Sequence, residues 1–112
     1  MKSLIKLQAV MDEFTGEHYK ITANMIAVFC FVAAHSDKII ETRHLPEELG
    51  LPQTTINRLV RTMADRSYCR EDGLKWLRIT TDPQDERQRI VELTVKGRQL
   101  ANRVREILED DK

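Results

Sequence analysis

The sequence lacks several features that mark specialised classes of protein. It has only two cysteines in 112 residues, Cys30 and Cys69, and they show no metal-ligand spacing. Neither a disulfide framework nor a zinc site is therefore expected. No apolar run is long enough to span a membrane, and the N-terminus shows no signal pattern. The length of 112 residues predicts one domain, residues 1–112. The absences predict a protein located in the cytoplasm and without a membrane partner.

Motifs for catalysis are also missing. The chain contains no nucleophile elbow, phosphate loop or metalloprotease pattern. His18, His35 and His44 lie in separate segments without a carboxylate or thiol at ligand spacing. We therefore expect no enzymatic activity, no cofactor and no metal.

Net charge is zero, yet the charges are unevenly distributed. Residues 53–105 hold twelve basic and seven acidic side chains, whereas acidic residues prevail in 1–52 and 106–112. A basic block between acidic flanks is typical of a domain that presents one face to phosphates, although a solvated surface would look similar.

Apolar residues at helical spacing predict a core helix and two terminal helices. Thr22 can cap a helix that is apolar nearly all round, and such a helix lies centrally in a core. This places Cys30 in the core as a small hydrophobe. The terminal helices, 1–15 and 95–110, offer more apolar surface than one small core covers, so we expect them to pack together and against a second copy as an isologous dimer. The residues predicted at the dimer interface are Leu4, Leu7, Met11, Leu100, Val104, Ile107 and Leu108.

Residues 43–66 have the pattern of a helix-turn-helix. Thr42 or Pro46 begins a short helix, Gly50 breaks it, and Pro52 begins a longer helix that runs to about Arg66. The longer helix has an apolar inner stripe and a polar outer face. The preceding segment, 37–41, is predicted to be a loop.

Residues 74–94 have the pattern of a β-hairpin. Asp82-Pro83 is turn chemistry between two strand-like runs, and the predicted tip carries Asp85, Arg87 and Arg89. Trp76 is expected to pack under this hairpin. The following Thr94 is an expected helix N-cap.

The predicted fold is therefore mainly α with a small β-hairpin (α+β), a winged helix-turn-helix with N- and C-terminal dimerisation helices. An α-helix fits the major groove of DNA, where short polar side chains reach base edges. The residues predicted to bind DNA are Gln53, Thr54, Thr55, Asn57, Arg58, Arg61, Arg87 and Arg89, with Asp85 supporting the wing.

The run DPQDERQRIVELTVKGRQL resembles the wing and following helix of the MarR family of bacterial transcriptional regulators. The family pattern Asp-Pro-x-Asp-x-Arg, a hydrophobic strand and Leu-Thr-x-x-Gly is matched at corresponding spacing. The matching residues are Asp82, Pro83, Asp85, Arg87, Val91, Leu93, Thr94 and Gly97. The resemblance implies a homodimer that binds a pseudo-palindromic double-stranded operator, often as a repressor, with Asp85 holding Arg87 in the minor groove.

The sequence departs from the family pattern in three respects. The step at 67–74 is longer than usual, Pro52 stands where a capping Ser is common, and the sequence reaches only Lys112. One hypothesis is a minimal version of phage or mobile-element type, with reduced or absent sensing of a small-molecule effector, which the sequence does not identify. The alternative function, a winged helix that docks on other proteins without sequence-specific DNA binding, also stays open at this point.

Overall fold

The computed structural model describes residues 1–17, 20–64 and 73–110, which form five α-helices and a three-stranded antiparallel sheet. The helices are α1 (Lys2–Glu17), α2 (Ala23–Ala34), α3 (Leu45–Leu49), α4 (Gln53–Met63) and α5 (Val95–Glu109). The strands are β1 (Ile40–Glu41), β2 (Leu77–Asp82) and β3 (Asp85–Leu93), in the sheet order β1-β3-β2. The predicted α+β class and winged helix-turn-helix architecture are confirmed.

Some predictions cannot be compared with the structure. The long step that begins at Ser67, Cys69 and His18 lie outside the described residues. Helix α4, predicted to run to about Arg66, ends earlier, at Met63, where Ala64 leaves the helical conformation as the C-cap. Among the residues that are described, no helix combines the length and the apolarity needed to cross a membrane.

Local capping chemistry sets three of the helix ends. The Thr22 hydroxyl accepts a hydrogen bond from the Met25 N–H at 3.2 Å, and the Thr94 hydroxyl accepts one from the Gly97 N–H at 3.0 Å. Gly50 ends α3 in the left-handed region with φ of 67°, a conformation that glycine adopts without a Cβ penalty. The three predicted caps are confirmed.

The segment before the helix-turn-helix corrects one prediction. Ile40 and Glu41, predicted to lie in a loop, form β1 and pair with Val91 and Ile90 of β3. A strand of two residues is too short to show the alternation by which strands are recognised. Burial of Ile40, which is 7% exposed, fixes this strand against the core.

Three aromatic side chains form the centre of the core. Phe14 of α1, Phe29 of α2 and Trp76, just before β2, contact one another edge to face, with ring centroids 5.5–5.8 Å apart. All three are buried, and such edge-to-face pairs add to the stabilisation that burial gives. Trp76 thus lies deeper than predicted, within the core rather than only beneath the wing.

Gly97 allows α5 to approach this centre closely. A Cβ built on Gly97 would overlap the carbonyl oxygen of Trp76 and press on a methyl group of Leu93. Backbone atoms cannot yield as a flexible side chain can. The glycine of the Leu-Thr-x-x-Gly pattern is therefore required by packing between α5 and the base of the wing.

We predict that Gly97→Ala lowers the free energy of unfolding by about 3 kcal/mol, because the added methyl group overpacks the core. Urea unfolding measures this loss. The matched control is Gly16→Ala in α1, where nothing lies within 4 Å of the added Cβ. The control should be neutral or slightly stabilising, since alanine is the better helix former. Equal stability of the two variants would contradict the packing role of Gly97.

Candidate nucleic-acid interface

Helix α4 presents a polar outer face, as predicted. Its inner stripe is buried, and four of the predicted DNA-binding residues on the opposite face are exposed. The exposed residues are Thr54, Asn57, Arg58 and Arg61, whereas Gln53 and Thr55 are half-buried. An arginine-bearing polar face one helix wide is suited to the major groove.

The first residue of α4, Gln53, is held by two hydrogen bonds. Pro52 at the N-cap makes no side-chain cap, because proline has no capping oxygen. The Gln53 amide nitrogen donates to the Thr42 carbonyl at 3.3 Å and to Asn57 Oδ1 at 2.9 Å. The structure therefore links two predicted base-contacting side chains. Thr42, which sequence reasoning did not place at this site, fixes one of them.

The wing ends in a tight turn at Pro83-Gln84. The Asp82 carboxylate accepts from the Gln84 N–H at 2.9 Å, as an Asx turn does. The prediction placed Asp85, Arg87 and Arg89 at the tip itself. Asp85 begins β3 beside the turn, while Arg89 pairs with Thr81 further along the hairpin.

Asp85 anchors Arg87. Its Oδ1 accepts from the Arg87 backbone N–H at 3.1 Å and from Arg87 Nε at 3.4 Å. The Arg87 side chain is nevertheless 90% exposed. The guanidinium is thus restrained at its base while it projects from the wing, which reduces the rotamer entropy lost on binding.

A second ion pair braces the wing lower down. Arg78 on β2 lies opposite Glu92 on β3, and the Arg78 guanidinium is 2.9 Å from the Glu92 carboxylate. Both side chains are about half-exposed, so the pair contributes at most about 1 kcal/mol. The cross-strand register that creates this pair includes a shift between Thr81 and Asp82, next to the turn, and the sequence analysis did not predict it.

A cleft of about 430 Å³ joins the helix to the wing. Its walls include Asn57 and Arg61 from α4, Ile79 and Arg89 from the wing, and Thr42. Arg61 and Arg89, separated by 28 positions in the chain, therefore line one concave surface. This surface is the strongest point of convergence among the predicted DNA-binding residues.

The terminal helices pack together, as predicted. Arg103 Nε lies 3.0 Å from a Glu13 carboxylate oxygen, and the Lys6 amine donates to the Leu108 carbonyl at 3.5 Å. Leu100 and Val104 are buried in the core of the protomer itself, which leaves almost none of their surface for a second copy. Ile107 is half-buried. The predicted dimer residues that stay exposed are Leu4, Leu7, Met11 and Leu108.

Cys30 corrects another prediction. It is exposed rather than buried in the core, because the buried stripe of α2 runs through Met25, Val28, Phe29 and Val32 and leaves position 30 outside it. Cys30 lines an open groove of about 520 Å³ between α2 and α5. Partial desolvation in this groove raises the pKa of the thiol above its ordinary value.

Within the described ranges, no group of three His, Cys, Asp or Glu side chains is arranged to hold a metal ion.

Solved structures with the same fold include MepR from S. aureus and MarR from E. coli. A MepR variant from a multidrug-resistant clinical isolate of S. aureus has 18% identity and a TM-score of 0.75, covering 96% of this chain and 70% of its own. S. aureus MepR in complex with DNA has 19% identity and a TM-score of 0.68, and the match covers 96% of this chain and 73% of the MepR chain.

A MarR variant from E. coli in complex with operator DNA has 18% identity and a TM-score of 0.68, covering 99% of this chain and 71% of its own. No protein-family model matches the sequence, and no curated protein is significantly similar to it. At these identities the likeness establishes the fold. The winged-helix fold expected from the sequence is confirmed, and the chain shares it with S. aureus MepR and E. coli MarR.

Proposed function

We propose that the chain is a DNA-binding transcriptional regulator and not an enzyme. It binds a pseudo-palindromic double-stranded operator as a homodimer and acts as a repressor. The observation that carries this proposal is the cleft that Arg61 of the helix and Arg89 of the wing both line. Two separate elements with basic side chains on one surface fit a duplex, whose phosphates flank both grooves.

The mechanism follows from the geometry of the two elements. Helix α4 enters the major groove, where Gln53, Asn57 and Arg58 reach base edges. Arg61 and Arg89 lie at the junction and neutralise phosphates. Arg87 extends from the wing into the minor groove, where a narrow A·T-rich segment attracts a guanidinium most strongly.

The solved structures add support to this reading. Both the MepR–DNA complex and the MarR–operator complex share the fold over nearly the whole of this chain. A repressor role is consistent with an operator-bound dimer that blocks access to a promoter. The family resemblance implies the same role.

The exposed apolar residues of the terminal helices support the dimer. Leu4 is 52% exposed, Leu7 47% and Leu108 53%, and they lie on the paired helices α1 and α5. Association with a second copy would remove this apolar surface from water. A two-fold dimer also explains recognition of a pseudo-palindrome, because two symmetric recognition helices match two half-sites about 34 Å apart.

We predict that Leu4→Lys shifts the dimer toward monomer. Burying the charged lysine in an apolar interface costs more free energy than burial of the leucine side chain contributes to dimerisation. Sedimentation velocity at roughly tens of micromolar protein measures the change. Val95→Lys is the control, because Val95 is 67% exposed at the start of α5 and its substitution should leave the dimer intact. A wild-type protein that sediments only as monomer would overturn the homodimer proposal.

We predict that Arg87→Ala weakens binding to the DNA upstream of the encoding gene roughly tenfold, a loss of about 1.4 kcal/mol. Thermal stability should change little, because an exposed ion pair contributes at most about 1 kcal/mol to folding. Asp85→Ala should have the same effect more mildly. Gel-shift titration and thermal unfolding measure the two quantities.

The control for Arg87→Ala is Arg105→Ala on α5. It removes the same charge from an exposed residue that is not among the predicted DNA-binding residues. Binding should weaken much less in this control. Wild-type affinity in Arg87→Ala would show that the wing does not read DNA.

A further inference from the structure

Gln53 and Asn57 lie one helical turn apart on the outer face of α4 and are hydrogen-bonded to each other. Gln53 Nε2 donates to Asn57 Oδ1 at 2.9 Å and to the Thr42 carbonyl at 3.3 Å. Gln53 is half-buried and Asn57 is exposed. The two amides therefore reach the DNA-facing surface as a connected couple, which we name the Gln53–Asn57 couple.

The carbonyl of Thr42 determines the orientation of both amides. A backbone carbonyl only accepts hydrogen bonds, so the Gln53 atom that faces it must be the NH₂ group. The same NH₂ group faces Asn57, so the Asn57 atom at that contact must be its oxygen. Exchanging oxygen and nitrogen in either amide would place two acceptors or two donors against each other.

This orientation leaves a definite set of groups for a ligand. The Gln53 NH₂ group has two hydrogens, and Thr42 and Asn57 supply two acceptors for them. Gln53 therefore presents its oxygen, an acceptor, while Asn57 presents its NH₂ group, a donor. A single free amide offers a ligand both an acceptor and a donor, whereas here the acceptor comes from Gln53 and the donor from Asn57.

We propose that the Gln53–Asn57 couple reads one adenine per half-site as a composite amide. Gln53 Oε1 accepts from adenine N6, and Asn57 Nδ2 donates to adenine N7. Guanine shows two acceptors on its major-groove edge, so it would face the Gln53 oxygen with an acceptor. Thr42 is a positioning residue, because its carbonyl holds Gln53 without touching the base. This inference rests on the proposed function and adds the base that α4 selects.

The test is a selection from randomised duplexes, followed by binding titrations of single and double variants. The wild-type protein should select adenine at one position of each half-site. Gln53→Ala and Asn57→Ala should each lose that preference at the same position, with a roughly tenfold loss of affinity. The double variant should lose little more affinity than either single variant, because each amide needs the other to hold its orientation.

A matched pair of variants provides the control. Gln53→Ala combined with Arg58→Ala, an exposed residue of the same helix, should show losses that multiply. Asn57→Asp gives a sharper check, since it keeps the acceptor for Gln53 and replaces the donor by a second acceptor. Its preference should change from adenine to cytosine, whose N4 is a donor.

The possible failures are distinguishable. Binding with sequence preference, but with independent effects of Gln53 and Asn57 at two different positions, overturns this inference and leaves the proposed function standing. Binding to no duplex at low salt overturns both. Thermal unfolding of each variant shows whether it is folded. If the alanine variants misfold, the base preference of Asn57→Asp decides the inference, because this variant keeps the hydrogen bond to Gln53.

Discussion

The packing of Trp76 is the constraint on which the arrangement of the other elements depends. Its indole contacts both Phe14 of α1 and Phe29 of α2 edge to face. Its backbone N–H donates to the Met63 carbonyl at the end of α4, and its carbonyl accepts from the Thr94 N–H before α5. One residue thus fixes the end of α4, the start of the wing and the start of α5. Gly97 makes the last approach feasible, since any side chain there would meet the Trp76 carbonyl.

This rigid junction gives the exposed polar groups their directions. Arginines on α4 and on the wing are flexible side chains, yet Arg61 and Arg89 line one cleft because their backbones are fixed relative to each other. Local hydrogen bonds restrain two more groups: Asp85 holds Arg87, and Thr42 holds Gln53. Such restraint lowers the entropy lost on binding. The proposed DNA surface is therefore largely formed before DNA arrives.

Much of the fold could be predicted from the sequence because its signals are local. Helix ends are indicated by the residues that cap them, Thr22, Gly50 and Thr94, and the turn of the wing is indicated by Asp82-Pro83. Other features depend on tertiary contacts and leave no local signal. The two-residue strand β1 is defined only by its pairing with β3. The exposure of Cys30 could not be foreseen on a helix that is apolar nearly all round, because such a helix shows no preferred face. The contact of Gln53 with Thr42 joins residues eleven apart in the chain.

The central claim is that helix and wing together bind duplex DNA through their arginines. Its most direct test is the affinity for the DNA upstream of the encoding gene as a function of salt. If Arg58, Arg61, Arg87 and Arg89 of both protomers each release about one counterion from the DNA, in a groove or at a phosphate, the logarithm of the association constant should fall with the logarithm of salt concentration with a slope of about −7. A slope near zero, or no binding to any duplex at low salt, would contradict the claim.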